Sequence, residues 1–263
     1  MPTPLLPVLK APIRTLLNPD TGSSVTLFGM LHAAQPEFYA TIAQKVAELE
    51  AAGAMVHYET VRPPDQDELN ATPELGRVGV QMISKQFEMS LAGFVDCGLV
   101  LQREQMPPAE SWENHDISMI EAVKFYGPTG IRELAQALAS GQNVLDELHP
   151  LITRAFTLQI LQSEIAVAAG RSPRESVFQG IDRQLSIHRE TLALAAADLH
   201  LVSDPGSDLL LLWGVAHLAG LTSGFIKRGY KVEDGEQWVI AVDPDLLPPL
   251  EDEEAHPPTV ASV

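Results

Sequence analysis

The chain has 263 residues, of which 45% are hydrophobic and 20% charged, with a formal net charge of −18. That length supports a sizeable core in one or two domains, and the composition is ordinary for a soluble globular protein. The acidic excess argues against a nucleic-acid partner and against an anionic membrane surface, because both need clustered Lys and Arg. Cys97 is the single cysteine, which rules out an internal disulfide and a thiolate metal cage.

In chain order, Ile13-Arg14-Thr15-Leu16-Leu17, the turn residues Asn18-Pro19-Asp20-Thr21-Gly22 and Val25 to Phe28 read as strand, turn, strand. The first 25 residues hold no secretory apolar core, so a cytoplasmic protein is expected. Pro36 marks a helix start, and Phe38, Ile42, Val46 and Leu49 recur at helical spacing until Gly53. Met55 to Tyr58 is then a short strand delivering Glu59. This β-α-β unit predicts direct parallel pairing of its two strands. Residues 73–199 read as a helical insertion, with candidate helices at 75–92, 117–125, 131–139, 151–169 and 181–199 and a strand near 98–101. Breakers at Pro107-Pro108, Gly127-Pro128, Gly141, Pro150 and Gly170 to Pro173 separate them. The apolar run Leu209 to Trp213 follows, then Gly214 and a helix to about Lys227. The strands Lys231–Val232 and Gln237–Val242 come last.

The expected fold class is therefore α/β: a mixed central sheet with a β-α-β start, a large helical insertion and C-terminal strands. It forms one domain over residues 1–243. Residues 244–263 are acidic and proline-rich, and a disordered tail is expected there. The longest apolar stretch, Leu209 to Leu221, is too short to cross a bilayer.

One spacing occurs twice. Gly29-Met30-Leu31-His32 and Gly214-Val215-Ala216-His217 each close an apolar run, with the glycine placed to allow a sharp turn and the histidine where a strand hands over to a helix. Ligands bind at that edge of α/β sheets. A histidine there acts as metal ligand or general base, or else simply caps a helix. Glu59 should share the edge with His32. Strand alternation places His57 with Glu59 and Tyr58 on the other face. Two imidazoles and a carboxylate, His32, His217 and Glu59, are the ligand count of a catalytic metal centre with one open position. Arg189 shares a helix face with Leu185, Leu192 and Ala196, so it needs an anionic partner or must reach solvent, with Glu190 or Asp198 in range. His188 reads as a surface or core-edge residue. Within Ser111-Trp112-Glu113-Asn114-His115-Asp116, Asp116 reads as a helix N-cap, with a supporting role beside the site as the alternative. Arg103, Glu104 and Gln105 are weaker candidates for the same cleft.

These pieces resemble the TraB/PrgY/GumN family, which includes the animal TIKI proteins. The resemblance is carried by Leu27-Phe28-Gly29-Met30-Leu31-His32, Tyr58-Glu59, Arg189 and Leu211-Leu212-Trp213-Gly214-Val215-Ala216-His217-Leu218-Ala219-Gly220, followed by Gly229-Tyr230-Lys231-Val232. It spans about residues 25 to 242 and is densest at the two ends. Around the arginine this chain reads His188-Arg189-Glu190, where the family has an acidic residue before and often an asparagine after. The resemblance implies a fold similar to erythromycin-esterase-like and ChaN-like proteins. It also implies a peptidase- or esterase-like hydrolase, with His32, Glu59, Arg189 and His217 as catalytic residues. TIKI members are divalent-metal-dependent proteases, so Mn, Co or Zn at His32, His217 and Glu59 is the implied cofactor. A metal-free variant uses a histidine as base towards water, with Glu59 orienting it. The expected partner is a small molecule or a peptide. The alternative is a peptide-, pheromone- or haem-binding protein without catalysis; haem is the less favoured ligand, with Tyr58 the nearest candidate axial tyrosine.

Overall fold

A computed structural model describes residues 7–145, 150–173 and 180–248. In chain order the elements are β1 Leu9–Leu17, β2 Ser24–Met30, β3 Ala33–Ala34, α1 Pro36–Ala51, β4 Met55–Tyr58, α2 Gln66–Ala71, α3 Glu74–Asp96, β5 Val100–Leu101, α4 Gln102–Gln105, β6 Glu113–Asn114, α5 Met119–Leu145, α6 Pro150–Ala168, α7 Gly180–Ser203, β7 Asp208–Gly214, α8 Leu218–Ile226, β8 Lys231–Val232 and β9 Gln237–Val242. A 3-10 turn, Val215–His217, links β7 to α8.

The main sheet is mixed, in the order β6-β4-β7-β2-β1-β8, with β9 also paired to β1. β6, β4, β7 and β2 are mutually parallel, and β1 runs antiparallel to β2, β8 and β9. In β2, Val25 to Met30 are all buried, as are Leu209 to Trp213 in β7. Burial of successive residues means that both sheet faces are covered around these strands, as in parallel sheets flanked by helices. α7 contacts β7, α8 contacts β2, α6 contacts β1 and the 3-10 turn, and α1 contacts β9. Phe38, Tyr39, Ile42 and Val46 form the buried stripe of α1, and Tyr39 Oη donates to the Leu31 carbonyl at 2.8 Å.

The β-α-β unit is not closed as the sequence implies. β2 and β4 are parallel, but β7 lies between them, pairing Thr26 with Leu210 on one side and Val56 with Leu210 on the other. The most apolar strand takes the position that buries both of its faces, so a segment about 150 residues downstream in the chain separates two consecutive strands. β1 also begins earlier than expected, at Leu9 rather than Ile13. Pro12 fits because this first half pairs with β9, and pairing to β2 starts only at Ile13. The predicted break between two helices falls inside α5, where Gly127 has φ +59°.

The start of the predicted disordered tail is structured: Pro244–Leu246 forms a 3-10 turn and the Pro248 carbonyl accepts from Arg154 at 2.7 Å. The remainder of that tail, residues 249–263, lies outside the described residues. No helix among the described residues is long and apolar enough to cross a membrane.

Leu211 is fully buried in β7 between two parallel neighbours. Leu211→Ala is expected to cost about 2–5 kcal/mol of stability, read as a lower urea midpoint at unchanged slope.

Candidate active site

Each of the four parallel strands places one polar side chain just beyond its C-terminal end. His32 follows β2, Glu59 follows β4, Asp116 follows β6, and His217 ends the turn after β7. Sequence neighbours therefore do not build this site. The parallel register does.

Glu59 is held from three sides. Its backbone N–H donates to the Leu212 carbonyl at 3.0 Å, which fixes the chain as it leaves β4. One carboxylate oxygen accepts from the Gly214 backbone N–H, and the other from Arg189 Nη2. His217 Nε2 stands 3.4 Å from that second oxygen. Burial alone would raise the Glu59 pKa. The Arg189 guanidinium, His217 and the hydrogen bonds from His217 and Gly214 outweigh it and hold the carboxyl well below its usual range.

Arg189 hydrogen-bonds to neither Glu190 nor Asp198, the two acids of its own helix that the sequence offers it. Its Nε and Nη2 donate to the two oxygens of Asp116 at 2.8 and 2.6 Å, a bidentate grip, and Nη2 also reaches Glu59. Asp116 is completely buried. It is not the N-cap of α5. That part is taken by Ser118, whose Oγ accepts from the Glu121 N–H at 3.2 Å, while the Glu121 carboxylate accepts from Ser118 N at 2.7 Å. Arg189 Nη1 makes no hydrogen bond within the described residues, and the side chain keeps 16% of its surface exposed.

His217 lies between two carboxylates. Its Nδ1 is 2.9 Å from Glu190 Oε1 and 3.0 Å from Ser186 Oγ, which itself donates to Glu190 at 3.3 Å. A proton on Nδ1, donated to Glu190, satisfies this triangle and turns Nε2 toward Glu59. Burial pulls the His217 pKa down. Glu59 and the Glu190 hydrogen bond push it further up, and the net shift is upward. Sequence reading listed Glu190 only as an alternative partner for Arg189 and did not single out Ser186. Their spacing of four on α7 with Arg189 beside them was the available signal.

Two glycines make this packing feasible, by space rather than by turning. Gly214 has φ −48° and ψ 132°, open to any residue, but an added Cβ would stand 3.0 Å from Glu59 Oε2. A Cβ on Gly220 would come within 2.0 Å of Glu190 Oε2.

His32 is solvent-accessible, with its ring edge-on to Phe87 at 5.3 Å, and makes no hydrogen bond to the other three side chains. Surrounding protein lowers its pKa. Glu59 raises it, and Arg189 and His217 lower it further, so the ring is neutral at pH 7. The doubled Gly-x-x-His spacing thus gives two different outcomes. β2 and β7 pair with Met30 opposite Gly214, one residue out of step between the motifs, and only His217 is drawn into the buried network.

A residue that the sequence analysis does not single out lies on α6, the helix packed against the 3-10 turn that carries His217. Glu164 on α6 is pushed up to about 7 by burial and by the Glu59 charge, against the opposing pull of His217. It makes no hydrogen bond among the described residues. Arg103 and Glu104 are exposed on α4 and 4.0 Å from each other. Trp112 donates to Glu50, and His188 stacks near Phe125 at 4.8 Å. None of these enters the network.

As a metal centre, His32, Glu59 and His217 do not fit together. Glu59 already accepts from Gly214 and Arg189, and the guanidinium takes the place of a cation beside both Glu59 and Asp116. Among the described residues, the set of His, Cys, Asp or Glu whose ligand atoms all lie within 4.8 Å of one another is a different one, His57, Glu113 and His115, and it can hold a metal ion. The predicted alternation of His57 with Glu59 ends at Tyr58, and the two belong to separate clusters.

Removing the cation tests the network. Arg189→Met leaves Glu59 and Asp116 as buried anions and is expected to cost about 3–5 kcal/mol at pH 7. Glu59's depressed pKa stabilises the fold above its unfolded value, and that contribution is lost as pH falls. The difference between wild type and variant in urea unfolding should therefore shrink below about pH 4. Gly220→Ala displaces Glu190 from Nδ1, and an NMR titration should show the His217 pKa falling. A raised histidine pKa stabilises below the unfolded value and is lost as pH rises through the folded one. This variant should therefore lose most stability below about pH 6.5.

A comparison with protein-family models, curated proteins and solved structures finds no match to this chain.

Proposed function

We propose that the protein is a hydrolase of peptide or ester bonds, of the TraB/GumN/TIKI type, that activates water at the His217–Glu59 pair. The observation that carries this reading is the His217 imidazole held between Glu190 and Glu59 at the C-terminal edge of the parallel strands. Its position also agrees with where ligands bind in open α/β sheets.

In this reading a water beside His217 attacks the substrate carbonyl carbon and gives its proton to Nε2. Glu190 fixes the ring through Nδ1, and the two carboxylates stabilise the imidazolium that forms. The carbonyl oxygen becomes an oxyanion, and Arg189 Nη1 donates to it. As the bond to the leaving group breaks, Glu164 protonates the departing nitrogen or oxygen. The environment separates two acids by role, with Glu59 kept ionised and Glu164 still able to carry a proton near neutrality. His32 is a neutral, accessible donor or acceptor for the substrate at the mouth. Arg189 supplies the positive charge in this scheme, and no step is routed through a metal.

The test is hydrolysis of a panel of ester and peptide substrates by tag-free protein, with and without chelator. Activity should survive chelation and follow a bell-shaped pH profile near neutrality. The acid limb belongs to His217 and the alkaline limb to Glu164. His217→Ala should lose about 10²–10⁴ in kcat, and Glu164→Gln should remove the alkaline limb. Folded wild type that cleaves nothing on either panel would sink the enzyme reading.

A further inference from the structure

The cluster that can hold a metal shares no side chain with the proposed catalytic network, and the hydrolase reading leaves it unused. His57 is 2% exposed in the interior of β4, and neither of its ring nitrogens has a hydrogen-bond partner. A buried polar pair left unsatisfied is expensive and rare, so something that can bind a lone pair is called for. Glu113 of β6 pairs in register with His57, and its Oε2 lies 3.6 Å from His57 Nε2, too far for a hydrogen bond. The same oxygen is 2.9 Å from His115 Nε2, and the His57 and His115 rings are 4.2 Å apart. A third ring, His200 near the end of α7, is centred 5.9 Å from His57, and its Nε2 lies 3.3 Å from Ser207 Oγ.

We infer that His57, Glu113 and His115, with His200 adjacent, form a binding site for one divalent transition-metal ion of the zinc type, whose role is to tie β4, β6 and α7 together. Three imidazoles and a carboxylate match that ion's preferred donors. Tetrahedral ligands at about 2.0–2.1 Å from zinc sit about 3.3 Å apart. The 3.6 Å separation is close to this, and the 2.9 Å contact needs only a small opening.

The location gives the ion its role. Glu113 and His115 precede Asp116, which grips Arg189 in the network above. His200 lies eleven residues beyond Arg189 on α7, about 16 Å along the helix axis. An ion here anchors the segment that carries Asp116 and the far end of the helix that carries Arg189. It is a structural clamp and takes no part in bond cleavage, so it stands whether or not the hydrolase reading does.

The experiment titrates Co2+ into tag-free, chelator-treated full-length protein and follows the visible bands of tetrahedral cobalt, then displaces it with Zn2+. About one equivalent should bind, with the melting temperature rising on loading. Glu113→Gln and His115→Ala alter partly exposed side chains, which spares the core. They should weaken binding roughly tenfold or more and abolish the thermal shift. His200→Ala should weaken it by a smaller factor. His217→Ala, which removes neither a proposed ligand nor a partner of the Glu113–Asp116 segment, should leave binding unchanged, which separates this site from the catalytic proposal. No tetrahedral cobalt spectrum in folded wild type, or unchanged affinity in both Glu113→Gln and His115→Ala, overturns the inference.

Discussion

A guanidinium buried at the end of a parallel sheet has to be neutralised, and this requirement organises the polar interior of the protein. Arg189 reaches across from α7 to Asp116 and Glu59, which arrive from two different strands. Neither carboxylate is adjacent to it in sequence. Each would be costly to bury alone, and the three are acceptable only together. The geometry of β4, β6 and α7 at this edge is therefore coupled to one charge balance.

From that balance the remaining chemistry follows. Glu59 stays an anion because a cation and a backbone N–H hold it there. As an anion it raises the pKa of His217 and also of Glu164. One carboxylate thus raises the pKa of both an imidazole and a second carboxyl group. Space for this arrangement comes from the absence of side chains at Gly214 and Gly220, where carboxylate oxygens occupy the volume a Cβ would need.

The segment from Glu113 to Asp116 links two polar clusters. Its first and third residues face His57, and its fourth faces Arg189. With α7 contributing Arg189 at one point and His200 near its end, the same two pieces of chain border both sites.

Local information in the chain was enough for the longer elements, but not for the short β3, β6, α2 and α4. Alternating and continuous apolar runs marked β2, β4, β7, β8 and β9. Helical spacing marked α1 and the long helices of residues 73–199, and glycine and proline marked their ends. It also picked out His32, His217 and Glu59 at the ends of strands and Arg189 on an apolar helix face. What it did not contain was partnership. That β7 separates β2 from β4, that Arg189 prefers Asp116 to its neighbour Glu190, and that His32 stays accessible while His217 is enclosed are all consequences of strand order and register. Those depend on which faces must be buried at once across the whole sheet, a condition that no window of sequence expresses. Secondary structure follows from short-range spacing. The charge network exists only once distant strands are laid side by side.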